Sequence, residues 1–286
     1  MTGVWLGLGA ALAWGFADYL AQPAARNLGS VRAAFYAQLA GLLLLLPLTL
    51  FTQRVFFPTG ADTWLWIVAT GVLGAAGGLA FYQSAKLGSL AVVAPIMGSY
   101  GAVTTLLAWL WGEHLTPLVT LGLLLALVSV VLVSIPARHA KVSAPPRQLQ
   151  GIVWALASAA LVGLCFFVMG RELTPRIGGI LTTWWTRVVG ITLNFGILLF
   201  TRQALGFTRG RHLLTPGLSG ALSVTAILLT ALGLGHGEDA IVTVLGSMSI
   251  VITTLIALLI VRERLTWWQG LGMLLAGVSV VMIGLK

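Results

Sequence analysis

The sequence predicts an all-α membrane protein of ten transmembrane helices, built as two inverted repeats of five. Three observations carry that expectation. Of 286 residues, 58% are hydrophobic, only 8% are charged, and the mean hydropathy is +1.01. A water-soluble chain carries roughly 25% charged residues, so most side chains here must face lipid. The apolar residues fall into runs of about 20, the length that crosses a bilayer core about 30 Å thick. The chain also resembles itself at an offset near 150 residues.

In chain order the predicted spans are 3–24, 30–52, 63–85, 89–111, 116–135, 149–171, 179–201, 213–235, 239–261 and 266–285. Turn residues and charges separate them, as in Arg26-Asn27-Leu28-Gly29, Pro58-Thr59-Gly60, Lys86-Leu87-Gly88 and His236-Gly237-Glu238-Asp239. The first run contains Asp18 and follows a start without basic residues, which reads as a retained span and not a cleaved signal. Pro47 and Pro95 lie inside spans and are expected to kink them. Gly71, Gly74, Gly77 and Gly78 are spaced for a close-packed seam on the third span.

One connection reads as a linker, residues 137–148, with Arg138, Lys141, Pro145, Pro146 and Arg147. It divides a first five-helix repeat, 1–136, from a second, 149–286. At an offset of 150, Glu113-His114-Leu115-Thr116 meets Glu263-Arg264-Leu265-Thr266, and Val128-Ser129-Val130-Val131 meets Val278-Ser279-Val280-Val281. Residues 113–135 give 12 identities in 23 positions. Earlier segments match at 148 and 149: Gly15 with Gly163, Gly41 with Gly190, Gln38 with Arg187. Because five is odd, the second repeat must begin on the opposite side of the membrane from the first. Such inverted repeats place a solute site near the midplane, where they meet.

The chain resembles the EamA family of the drug/metabolite transporter superfamily, once per half. The resemblance rests on Ala85-Lys86-Leu87-Gly88, Pro95, Glu113-His114-Leu115-Thr116 and Gly122. The second half repeats it in Glu263-Arg264-Leu265-Thr266, Gly270 and Gly272. Ala13-Trp14-Gly15 is similar to the family's Trp-Gly signature. The second half departs at Val162-Gly163, and at Leu245, where Pro95 would map. The resemblance implies an inner-membrane, multi-pass secondary transporter of a small metabolite such as an amino acid, as an exporter. A small-solute importer is the alternative, and a non-transporting scaffold or sensor a third reading.

Ionisable residues inside a membrane are costly and so mark candidate sites. Asp18 follows Trp14 by four residues, which puts both on one face of the first helix. It can hold a coupling proton or a substrate amine, or be a plain interfacial carboxylate capped by Arg26 or Arg32. Arg187, in Trp184-Trp185-Thr186-Arg187, is the most deeply placed cation. It can hold a substrate carboxylate, pair with Asp18, or serve only as a structural cation. Gln38 is its repeat partner. Tyr82, Gln83, Tyr100, Trp184 and Asn194 complete a candidate lining, each equally readable as a packing residue. His236 and Glu238 are candidate gating groups, although a solvated turn with Asp239 capping the next helix explains them as well. Thr104-Thr105 and Thr253-Thr254 are expected to bond back to their own helices.

Other function classes find little support. The sixteen Lys and Arg residues stand singly and form no stripe for nucleic acid. Cys165 is the one cysteine, so no disulfide or thiolate metal site arises within the chain. Gly-x-Ser-x-Gly and His-Glu-x-x-His are both missing, so an enzyme is not expected, nor a cofactor or metal. The expected partners are a small solute and membrane lipid, with the chain a monomer or homodimer. Eleven Lys and Arg flank one set of ends and four the other. By the positive-inside rule that places both termini outside, whereas the family resemblance implies the cytoplasm.

Overall fold

The computed structural model describes residues 2–52, 57–112, 114, 116–134, 145–203, 211–234, 249–260 and 266–284. Every regular element among them is helical: α1 (Thr2–Leu28), α2 (Ser30–Thr52), α3 (Ala61–Leu87), α4 (Leu90–Gly98), α5 (Tyr100–Leu110), α6 (Pro117–Ser134), α7 (Pro145–Val168), α8 (Thr174–Phe200), α9 (Arg211–Leu234), α10 (Ser249–Leu259) and α11 (Trp267–Gly284). A π-helical turn, Met169–Leu173, joins α7 to α8.

Among the described residues, Ser30–Thr52, Ala61–Leu87, Leu90–Leu110 and Arg147–Phe200 are long and apolar enough to cross a bilayer. The last run has 54 residues, about 80 Å of helix, and so must cross more than once. Shorter apolar helices cover Pro117–Leu132, Leu213–Leu229 and Trp267–Met282. The bundle is packed with small residues inside and large ones outside. Ala10, Ala11, Ala24, Ala33, Ala85 and Ala155 are fully buried, while Trp5, Leu43, Phe51, Leu127 and Phe200 face outward. Lipid offers large apolar side chains all they need, and small residues let backbones approach.

The halves interleave instead of forming two separate bundles. The most extensive packing of α1 is against α9, of α3 against α7, and of α6 against α11, each across the two halves. Exchanging the halves maps these contacts onto one another. α1 on α9 corresponds to α7 on α3, α2 on α9 to α8 on α3, and α1 on α10 to α7 on α5. The correspondence reaches single residues. Thr104 Oγ1 donates to the Gly163 carbonyl at 2.9 Å, and Thr253 Oγ1 to the Gly15 carbonyl at 3.3 Å. Both threonines also bond back to their own helices, so the expectation for them held only in part. Replacing Thr104 by valine should cost about 0.5–1 kcal/mol, read as a lower unfolding midpoint in detergent, and Thr253→Val less, since its cross-helix bond is longer.

The Gly seam on α3 serves two neighbours. A Cβ at Gly71 would lie 2.5 Å from Val189 of α8, and one at Gly77 would lie 2.7 Å from Val162 of α7. Gly78 meets nothing within 4 Å. Gly77→Ala should therefore cost about 1–3 kcal/mol by overpacking. Gly78→Ala should be neutral or stabilise by up to about 1 kcal/mol through helix propensity. Equal melting temperatures for the two variants would refute the assignment.

Gly29 (φ 84°) and Gly178 (φ 76°), 149 residues apart, turn the chain between α1 and α2 and within α8 near its start. The fourth predicted span breaks at Ser99 and not at Pro95: the Ser99 backbone N–H bonds the Ile96 carbonyl at 3.1 Å, an i−3 bond that interrupts the α-helical ladder, and the Ser99 hydroxyl donates to the same carbonyl at 2.6 Å. α2 stays one helix through Pro47. Glu113, His236, Glu238, Asp239, Leu245 and Glu263, all named above, lie outside the described residues.

Candidate functional site

Polar side chains collect where α1, α2, α3, α8 and α9 converge. α2 and α8 cross antiparallel, each over a glycine of the other: Arg187 covers Gly41, and Gln38 covers Gly190. These are the four residues that the 149-residue offset aligned as Gly41 with Gly190 and Gln38 with Arg187, and each polar side chain lies over the other half's glycine. The absence of a side chain makes room at both places, since a Cβ at Gly41 would meet the guanidinium and one at Gly190 the Gln38 amide, and either side chain would have to move aside. Arg187 Nη2 donates to Ser223 Oγ at 3.1 Å, and Ser223 in turn donates to the Gly220 carbonyl at 2.9 Å.

One turn earlier on α9, Ser219 Oγ donates to the Ala17 carbonyl of α1 at 2.8 Å. Since that hydroxyl hydrogen is spent, the contact at 3.4 Å between Tyr82 Oη and Ser219 Oγ has the tyrosine as donor. Tyr82 is buried and within electrostatic reach of both Asp18 and Arg187, and Tyr100 is within reach of Asp18. Tyr100 packs its ring on Phe166 at 5.3 Å. Asp18 itself is half-buried. The result is a carboxyl group and a guanidinium with a buried phenol in electrostatic reach of both, beside small and apolar residues such as Ala37, Gly41 and Val224.

The Asp18–Arg187 ion pair that the sequence left open does not form among the described residues; the guanidinium is held by Ser223. Neither Arg26 nor Arg32 pairs with Asp18 among them, and Arg26 Nη2 donates to the Gly88 carbonyl at 3.2 Å. Gln83 is drawn away from the centre, where its Oε1 accepts from Ser30 at 2.6 Å and ties α3 to the start of α2. Trp184 packs into an apolar cluster with Leu45 and Val224. Trp14 is half-buried one turn before Asp18. Asn194 is fully buried, and neither its amide nitrogen nor its amide oxygen has a hydrogen-bond partner among the described residues. No group of three or more His, Cys, Asp or Glu that could hold a metal occurs among the described residues.

Ser219 and Ser223 escaped sequence reasoning. Their signal was a small polar pair at i, i+4 on an otherwise apolar helix, which is common enough in membrane helices to pass unnoticed.

The family model for the EamA-like transporter family matches residues 1–135 and again 149–285. A solved structure titled "Crystal structure of protein" superposes with a TM-score of 0.65 over 98% of this chain and 95% of the other, at 14% identity, a likeness of fold alone. No curated protein matches the chain.

Proposed function

Because the chain belongs to the EamA-like transporter family, and so is a multi-pass membrane transporter, we propose that it moves a small zwitterionic metabolite, such as an amino acid, across the inner membrane. Export by alternating access is the favoured cycle. Asp18 faces the solute's ammonium group, Arg187 its carboxylate, and Tyr82 and Tyr100 bound the space between.

The observation that carries this reading is the reciprocal crossing of α2 and α8, with Arg187 over Gly41 and Gln38 over Gly190, beside Asp18 and Tyr82. A charged residue at a helix crossing costs several kcal/mol unless it acts on something. The exchange of contacts between halves supports a ten-helix inverted repeat, in which near-equivalent halves can open in turn to each side. The ends of α1, α3 and α8 and the starts of α2 and α7 carry Arg26, Lys86, Arg202, Arg32 and Arg147, which supports that face as the cytoplasmic one. A C-terminal reporter active on one side only would test the orientation.

The functional test is a thermal-shift screen of amino acids and related solutes, run on the wild type and on Arg187→Ala. A ligand at a hundred times its Kd stabilises by about 2.7 kcal/mol, which a melting curve resolves. The expected result is a shift for some solute in the wild type and none in the variant. Equal shifts in both would remove Arg187 from the site. Flux of that solute in sealed vesicles under an imposed gradient then separates export from import, and no flux at all would favour a sensor.

A further inference from the structure

The second half of α1 lines an open cleft of about 260 Å³ formed by Tyr19, Gln22, Pro23, Arg26 and Asn27. It lies at the basic end of the bundle. Among the described residues that end carries Arg26, Arg32, Lys86, Arg147 and Arg202 and no Asp or Glu. Among the described residues the opposite end carries both signs: Glu172 pairs with Arg176 at 3.1 Å and with Arg171 at 3.6 Å, and Asp62 lies in the first turn of α3. We infer that this cleft binds an oxyanion, the carboxylate of a small solute, at a peripheral site distinct from the centre.

The geometry of Arg26 favours it. Nη2 is pinned on the Gly88 carbonyl at 3.2 Å, alongside Gln22 Nε2 at 3.2 Å. Gly88 is itself immobilised, its backbone lying against Gly151 of α7. A guanidinium held by one nitrogen has its plane fixed and keeps further N–H groups for a second acceptor, the fork that suits a carboxylate. Asn27 adds an exposed amide, and the Tyr19 ring, packed on Leu90, Ala91, Ala94 and Ala257, supplies an apolar wall. Asp18 precedes Arg26 by about 12 Å along α1 and about 80° around its axis, with Gln22 between them. A solute caught by its carboxylate at Arg26 would have Asp18 ahead of it along the helix. The inference rests on the transport reading only for this last step.

The test places a cysteine at Asn27 (Asn27→Cys) in a Cys165→Ala background, reconstituted in phosphatidylcholine vesicles. Labelling rates are compared for an anionic (sulfonatoethyl) and a cationic (trimethylammonioethyl) methanethiosulfonate, with Thr59→Cys as a control at the other end. The expected result is an anionic preference about tenfold above the control. Arg26→Gln should abolish it, while Lys86→Gln, which removes the same charge from the same end, should keep most of it. Millimolar benzoate should slow labelling and benzyl alcohol should not. Equal rates for both reagents, equal effects of Arg26→Gln and Lys86→Gln, or no protection by benzoate would each overturn the proposal. Full protection by phosphatidylglycerol vesicles without benzoate would assign the cleft to a lipid phosphate and overturn the solute reading. The labelling needs no flux, so a chain that fails to transport but passes this test would sink the central proposal and leave the cleft standing.

Discussion

Gly220→Ala is expected to leave little or no folded protein in detergent. A Cβ at this position of α9 would overlap the backbone of Ala37 in α2, meeting its carbonyl, carbonyl carbon and Cα. A side chain struck by a new methyl can change rotamer, whereas a backbone in a packed helix cannot, so the helices must separate. Overpacking costs about 1–3 kcal/mol where neighbours can yield, and this site belongs at or beyond the upper limit. Separation would also pull Ser219 from the Ala17 carbonyl and Ser223 from Arg187. Gly217, three residues earlier on the same helix, meets nothing within 4 Å, and Gly217→Ala should fold normally. Yield and monodispersity by size-exclusion chromatography check both. A well-folded Gly220→Ala would mean that α9 does not approach α2 as closely as described.

Asp18→Asn is the second large effect, and its sign differs between two readouts. The substitution keeps the shape of the side chain and removes its charge. Flux of the solute found in the thermal screen should fall by about a hundredfold or more, because the carboxylate's charge is what holds the ammonium group or a coupling proton. Stability should rise, by up to about 3 kcal/mol, because the half-buried carboxylate makes no hydrogen bond or ion pair among the described residues and a charge at membrane depth is costly. A structural carboxylate would behave in the opposite way, losing stability and keeping flux. Undiminished flux would remove Asp18 from the mechanism.

Much of this was legible in the sequence because membrane helices obey a narrow rule of length and polarity. The second span, 30–52, coincides with α2, and the four residues the 149-residue offset aligned, Gln38, Gly41, Arg187 and Gly190, all lie where α2 meets α8. What failed was pairing. Hydropathy locates a helix in the bilayer but says nothing of which neighbour its polar groups reach. Arg187 therefore bonds Ser223, a partner the sequence did not name, and Gln83 bonds Ser30. The interleaving of the halves was invisible for the same reason, since alanine and glycine do not name their partners. The break at Ser99 comes with a backbone bond from its N–H to the Ile96 carbonyl, a local change of hydrogen bonding that hydropathy does not register.

The central claim is that the polar seam between the interleaved halves opens alternately to both sides of the membrane. Ser223, half-buried and bonded to Arg187, is the position to probe. With Ser223→Cys in a Cys165→Ala background, in sealed vesicles of uniform orientation, a membrane-impermeant thiol reagent should label the cysteine from either face. Transported solute should change both rates. Labelling from one face only, or from neither with and without solute, would contradict alternating access through this seam.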